Sequence, residues 1–462
     1  MKINVAIKGV VSIVVIVLGG LLKNQHLYGQ TSLEKLDKYF SVQNEKEPLS
    51  GVVLIQRQGK TIYERAFGYA SVEQSVRNSP LTKFPIGSIT KPFIATSILL
   101  LDQKHLLSVT DKAKKYIPEV PDSWQDISIE HLLSHTSGVG DYLSQPVYDT
   151  LKHVETTNAE LLKKIISFPL HGKPGDEYEY SNSNYVLLTC IIERITGLDI
   201  SSFIQKEICR PLGLKNTFFP DSRIPLKALA TGYLWQEKLY KADHVNFSNL
   251  SGAGGIISTV GDLTTFINGI MKFKILPKPV VEKMITPVKD DYGLGCTNLS
   301  YHDRHLIGHP GRIDGYSAHM WYEPKGEFSV VYLSNVNNGP SFAFITNIFD
   351  ILLNTSVTPN YYVYEEFPPL FPSKVSDRSS DEYTGTYLFR NDILKVTKVG
   401  TKLYIESESE KGKIEMMPYN EFKFWVGGPA RIIVTFIRDK LAKKVTKAEI
   451  VLNGNMTIAE KK

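Results

Sequence analysis

The sequence predicts an α+β fold: an antiparallel sheet flanked by helices and joined to an all-helical cluster, followed by a small all-β barrel domain. Three observations carry the prediction. Strand-like runs near residue 50 and again near residue 310 bracket a long helical middle, the pattern of one sheet closed from both chain ends. A stretch rich in Pro, Ser and charge, "EEFPPLFPSKVSDRSSD" (365–381), then interrupts all periodicity. Beyond it every run alternates with period two and no helical period returns.

Taken in order, the chain opens on "MKINVAIKGVVSIVVIVLGGLLKNQHLYGQ". Lys2 and Lys8 precede a fourteen-residue apolar run, 9–22, too short for an ordinary membrane span. A small residue, Gly29, follows near a plausible cut. This reads as a secretory signal over 1–30, with an uncleaved anchor helix as the alternative. Either way the body is expected outside the cytoplasm, periplasmic or secreted, where association with the cell envelope is open to it. "SLEKLDKYF" predicts a short helix. "GVVLIQRQGKTIYERAFGYA" alternates around Gly59 and predicts a two-stranded hairpin. A helix opens near Ser88 and runs through "IATSILLLDQ". "SIEHLLSHTSGVGDY" predicts a helical turn ending in a Gly-rich loop. "SNSNYVLLTCIIERITG" begins with capping residues and stops at Gly197. "GDLTTFINGIMKF" is a further helix, "HLIGHPGRIDGYSAHMWYEPKGEFSVVYLSNV" gives three strands, and 341–354 closes as a helix.

At 462 residues the chain exceeds one ordinary core. The expected division is a signal over 1–30, a first domain over 31–358, a linker over 359–381 and a β domain over 382–462. In the last, "YTGTYLF", "DILKVTKVGTKLYIES", "KIEMMPYNEFKFW", "RIIVTFIRD" and "KAEIVLNG" break at Gly, Pro or Asn. Hydrophobic content of 42% and charged content of 22% are those of a globular protein. The net charge is +5, and Lys2, Lys8 and Lys23 supply three of these charges. The remaining balance of +2 gives no electrostatic reason to expect nucleic acid. Cys190, Cys209 and Cys296 are the only cysteines and cannot all pair within one chain. They read as buried small hydrophobes without metal-type spacing.

"FPIGSITKPF" (84–93) places Ser88 and Lys91 three residues apart at a helix start. That spacing puts both side chains on one helical face. The N-terminal dipole favours loss of a proton from either group. For these four residues alone a capping Ser beside a solvated Lys is the favoured reading, and such a spacing arises about twice by chance in a chain of this composition. Context decides. "FPIGSITKPFIATSILLL" resembles the first motif of the class C β-lactamase and penicillin-binding-protein-like serine hydrolases. "EHLLSHTSGVGDY", "YSN" at 180–182, "GAGGIISTVGDLTTF", "DYGLG" and "GHPGRIDGYSA" follow in that family's order. The resemblance spans about residues 33–355 and implies a β-lactamase/transpeptidase-like fold without a cofactor. The β domain resembles the lipocalin-like appendage found after such domains.

By this resemblance Ser88 is the nucleophile, Lys91 takes or holds its proton, and Tyr180 is a general base or shares that work. Asn182 positions Lys91 and the substrate amide. Backbone N–H groups of Ser88 and Arg312 form the oxyanion site. A free phenol titrates near about 10, so Tyr180 needs a neighbouring cation to act as a base at neutral pH. The third motif departs from the family's usual Lys-Thr-Gly: here it is His309-Pro310-Gly311. Gly311 leaves the backbone open to substrate. His309 replaces a permanent cation with a group of ordinary pKa about 6.5, as in some D-specific peptidases and esterases. Arg312 either meets a substrate carboxylate or pairs with Asp314.

The expected activity is that of an exported serine hydrolase cleaving an amide or ester: a D-amino-acid peptide, a small ester or a β-lactam, with peptidase or esterase ahead of lactamase. The alternative is an acylatable sensor or binding protein without turnover, suggested by the extra β domain. His131 and His135 have the i, i+4 spacing of a zinc pair but lack the accompanying Glu, so no metal is expected. His302 and His305 receive no role.

Overall fold

The computed structural model describes residues 32–44, 49–145, 147–221, 228–236, 238–243, 245–337, 342–355, 381–389, 392–408, 413–418, 422–426, 432–439, 444–452 and 455–462. The signal expected over 1–30 lies outside these residues, as does the expected linker apart from Asp381. The chain divides into two compact units: residues 1–339 with 348–356, and residues 340–347 with 357–462.

The first unit is built on a six-stranded antiparallel sheet. Its strands are β1 (Gly51–Arg57), β2 (Lys60–Phe67), β3 (Thr297–Tyr301), β4 (Arg304–Ile313), β5 (Tyr316–Glu323) and β6 (Phe328–Ser334), in the order β2-β1-β6-β5-β4-β3. The strands from the two ends of the unit meet at β1 and β6, where Gly51 pairs with Ser334. Every residue of β5 and β6 is buried, because helices cover both faces of the central strands. On one side the helix α1 (32–44) lays Phe40 against Tyr63 and Phe67 of β2, with ring centroids 5.4 and 5.3 Å apart. The helical region supplies α2 (Thr90–Gln103), α3 (Ile129–Leu133), α4 (Asn158–Ile165), α5 (Asn182–Thr196), α6 (Val260–Met271) and α7 (Lys278–Ile285), while the residues of α8 (Phe342–Leu353) are divided between the two units. Phe93 of α2 stacks on Phe266 of α6 at 3.6 Å in a hydrophobic core shared by sheet and helices.

α2 and α5 are buried nearly all round, which a continuous apolar pattern permits and a surface helix forbids. α5 ends at Gly197 in the left-handed conformation, as predicted. β3 was not among the predicted strands: in "TNLSY" Leu299 and Tyr301 alternate over too short a run to mark a strand. It pairs with β4 at the sheet edge.

In the second unit, eight antiparallel strands close into a barrel: β7 (Gly385–Phe389), β8 (Asp392–Val399), β9 (Lys402–Ser407), β10 (Lys413–Pro418), β11 (Lys423–Val426), β12 (Ile432–Arg438), β13 (Val445–Leu452) and β14 (Asn455–Lys461). Closure comes from β7 pairing with β14, which removes both free edges. Two of the predicted runs each fold into a hairpin, and β14 adds a strand beyond "KAEIVLNG". Tyr383, Tyr387, Phe424 and Phe436 form its aromatic core with the aliphatic side chains of alternate positions.

Candidate active site

The turn that begins the site is Gly87–Ile89, a single 3-10 turn leading directly into α2. Ser88 is therefore just ahead of the α-helix rather than within it. Gly87 has φ 51°, and a Cβ there would stand 2.7 Å from the Arg312 backbone N. A Cβ on Gly311 would stand 2.0 Å from the Ile86 carbonyl oxygen. Glycine at both positions thus lets β4 press its main chain against the turn carrying Ser88. The backbone segments of Ser88 and Arg312 come together for this reason.

Lys91 lies one turn into the helix and has no solvent exposure. Its Nζ donates to Ser88 Oγ at 3.0 Å, to Asn182 Oδ1 at 2.7 Å and to the Ala253 carbonyl at 2.8 Å. Two of these partners accept only. The third, the Ser88 hydroxyl, can either accept or donate. Burial drives the lysine pKa down to about 7, and the Asp141 carboxylate opposes that fall. At neutral pH a large fraction of Lys91 is a neutral amine. Its two N–H bonds are then committed to oxygen acceptors and its lone pair faces Ser88 Oγ.

Tyr180 shares a hydrogen bond with Ser88, yet burial pushes its phenol well above the ordinary value. The expected cation-lowered phenolate is not found. Lys91 Nζ sits 4.8 Å from the Tyr180 ring centroid, near its face, and desolvation outweighs the lowering effect of the Ser88 hydrogen bond. Tyr180 is a neutral phenol in this site.

Asn182 opens α5. Ser181 precedes it as the cap residue but makes no side-chain capping bond. Asp141 does that work from across the loop: its Oδ1 accepts the Asn182 backbone N–H at 3.1 Å and its Oδ2 accepts Asn182 Nδ2 at 2.9 Å. Ser137, Ser183 and Asn184 staple the same loop to the start of α5. His135 is buried with φ 58° and accepts the Ser181 N–H at Nδ1, 3.1 Å. Burial and the neighbouring Lys91 hold its pKa well below the usual value. Its ring lies 4.2 Å from that of Tyr180, and Tyr178, Tyr185 and Tyr292 complete an aromatic surround.

His309 is 2% exposed. Its Nδ1 contacts the Pro310 carbonyl oxygen, so that nitrogen carries the proton; Nε2 then accepts from Tyr292 OH at 3.0 Å. Burial, reinforced by Lys91, lowers its pKa to about 3. The third motif therefore carries a neutral imidazole at physiological pH, not one poised near its ordinary titration point. Asp314 forms an ion pair with Lys152, which removes the main reason to pair it with Arg312. His131 Nδ1 accepts the Ser128 N–H in a capping box at the start of α3. Among the described residues no cluster of three or more His, Cys, Asp or Glu is placed to hold a metal. The three cysteines are buried free thiols with pKa values raised to about 12 by burial.

All seven predicted residues are thus brought to one locality. Asp141 and Ala253 were missed. Asp141 is the single acid in "SHTSGVGDY", a signal that was present. Ala253 contributes only a carbonyl, which leaves no mark in the side-chain sequence.

With this geometry in place the comparisons fall into line. Residues 36–354 match the Beta-lactamase family, and the chain belongs to that family. It is 27% identical over 423 residues to penicillin-binding protein 4* of Bacillus subtilis (strain 168), covering 86% of this chain and 92% of that one. Among solved structures, the octameric penicillin-binding protein homologue from Pyrococcus abyssi superposes with a TM-score of 0.65 at 23% identity, covering 93% of this chain and all of that one. The D-amino acid amidase from Ochrobactrum anthropi SV3 complexed with D-phenylalanine gives 0.60 at 23% identity, over 71% of this chain and 99% of that one. At these identities the structural likeness is one of fold.

Proposed function

We propose that the protein is an exported serine hydrolase that cleaves an amide or ester through an acyl-enzyme on Ser88. The observation that carries this reading is the Lys91 amine, 3.0 Å from Ser88 Oγ and lowered to about 7 by burial. A base that titrates near the working pH is the efficient one. Neutral Lys91 accepts the Ser88 proton as Oγ bonds to the carbonyl carbon, and the carbonyl electrons move onto oxygen. Backbone N–H groups of Ser88 and Arg312 receive that charge. The tetrahedral species collapses, the bond to the amine or alkoxide breaks, and Tyr180, a neutral phenol beside Ser88, donates the departing group its proton. Lys91 re-supplies Tyr180. Water then repeats the sequence against the acyl-enzyme.

His309 supports an amide or ester over a β-lactam as the substrate. Both of its ring nitrogens are engaged and it bears no charge above about pH 3, so β4 offers no lysine-like cation at that position. Export rests on the N-terminal thirty residues. Among the described residues, the buried hydrophobic side chains of the barrel form one packed cluster.

The test is labelling with a fluorophosphonate and with a tagged penicillin, followed by intact mass. One adduct on the wild type and none on Ser88→Ala is expected. Turnover is then compared on nitrocefin, a p-nitrophenyl ester and a D-alanyl anilide, with the last two ahead. An adduct that persists in Ser88→Ala ends the reading. Stable acylation with no turnover on any substrate turns it into an acylatable sensor.

A further inference from the structure

We propose that Asp141 is a positioning residue for the Ser88 chemistry: it locks the Asn182 amide with Oδ1 toward Lys91 and sets the field in which Lys91 ionises. This rests on the reading of Ser88 and Lys91 as nucleophile and base. The argument begins with Asn182, whose amide presents either oxygen or nitrogen to a neighbour after a half-turn. A carboxylate only accepts. Asp141 Oδ2 therefore demands Asn182 Nδ2, at 2.9 Å, and the oxygen must point the other way, toward Lys91 Nζ at 2.7 Å. The flipped amide would set NH2 against the lysine N–H and oxygen against the carboxylate, two repulsive contacts at once. Asp141 Oδ1 meanwhile accepts the backbone N–H groups of Asn182 and Leu143, at 3.1 and 3.2 Å. The carboxylate is thus fixed by the start of α5 and by its own loop. It reaches Lys91 through one intervening amide.

The second consequence is electrostatic. The titratable groups around Lys91 are Tyr180 and Tyr185, with ring centroids 4.8 and 5.4 Å from Nζ, His135 and His309, each disfavoured as a cation by Lys91, and Asp141. Burial holds both tyrosines as neutral phenols and both histidines as neutral imidazoles. Asp141 is the only group of this set whose charge favours the lysine cation. Removing it lowers the Lys91 pKa further.

The experiment measures kcat/KM for a p-nitrophenyl ester across pH in the wild type, Asp141→Asn and Asp141→Ala, with active sites counted by fluorophosphonate titration. Ser88→Ala is the blank. Activity requires neutral Lys91, so its acid limb reports the lysine. Both variants are expected to move that limb to lower pH by at least about half a unit. The plateau per active site falls about tenfold in Asp141→Asn and further in Asp141→Ala, because the amide is no longer held. Equilibrium unfolding across pH reads the same lysine without catalysis. Its lysine-dependent rise should begin at lower pH in both variants. A residue that merely capped α5 would cost active sites and leave the limb in place. Acid limbs and unfolding profiles that coincide with the wild type overturn the proposal. A shifted unfolding profile in a protein whose Ser88 is never acylated would instead sustain Asp141 and remove the Ser88 reading.

Discussion

Lys91→Met separates the cost of burying an amine from everything else the residue does. Methionine has similar length and fills the same space. It leaves Asn182 Oδ1 and the Ala253 carbonyl without their donor, at about 1–3 kcal/mol each. That cost does not depend on pH. The lysine contribution does. In the unfolded chain Lys91 titrates at its ordinary 10.5, and in the folded protein at about 7. Between those values the unfolded state binds the extra proton, so unfolding becomes harder as pH rises. The limiting slope is about 1.4 kcal/mol per pH unit. With half the folded lysines still protonated at about pH 7, the wild type gains about 2 kcal/mol relative to Lys91→Met on going to about pH 9. Below about pH 6 both states hold the proton and the difference is flat. His135 and His309 titrate far below this window and Tyr180 above it, so the comparison isolates the lysine. The assay is urea unfolding followed by tryptophan fluorescence. A Trp425→Phe background, which silences the barrel, leaves Trp124, Trp235 and Trp321, all in the first unit, with Trp124 and Trp321 as its buried reporters. Parallel wild-type and variant curves from pH 7 to about 9 would falsify the depressed lysine and with it the base assigned to Ser88.

Two further expectations follow from the same geometry. Gly311→Ala puts a Cβ 2.0 Å from the Ile86 carbonyl; β4 must retreat from the turn, and kcat/KM on an ester should fall about 100-fold with the fluorophosphonate rate. An unchanged labelling rate would refute the close approach of strand and turn. Tyr292→Phe removes the donor to His309 Nε2 and should cost about 1–3 kcal/mol in urea unfolding, with the acid limb of kcat/KM unmoved because Lys91 keeps its surroundings.

Much of this was legible before any coordinates. The hairpin around Gly59, the helix ending at Gly197 and the three strands through His309 follow from local periodicity and turn residues, which act over a few positions. β3 was not legible, because an edge strand with little buried surface needs no apolar alternation. β14 begins beyond the Asn-Gly pair that closes the run "KAEIVLNG" in the sequence, and its own alternation is weak. Ser88, Lys91, Tyr180, Asn182, His309, Gly311 and Arg312 could be singled out only through the ordered motifs that resemble the family, since Ser-x-x-Lys spacing alone arises by chance.

What the sequence by itself determined, then, is the set of candidate site residues and the two-part α+β and β-barrel plan. Ionisation was decided only in three dimensions. Lys91 is in large part a neutral amine because burial strips its ammonium of water, Tyr180 is a neutral phenol because the same burial outweighs its hydrogen bond to Ser88, and His309 is uncharged because burial, reinforced by Lys91, disfavours its cation. Asp141 joins the site only when the loop before α5 folds back on it. Charge state depends on which dielectric and which partners surround a group, and those come from residues far away along the chain.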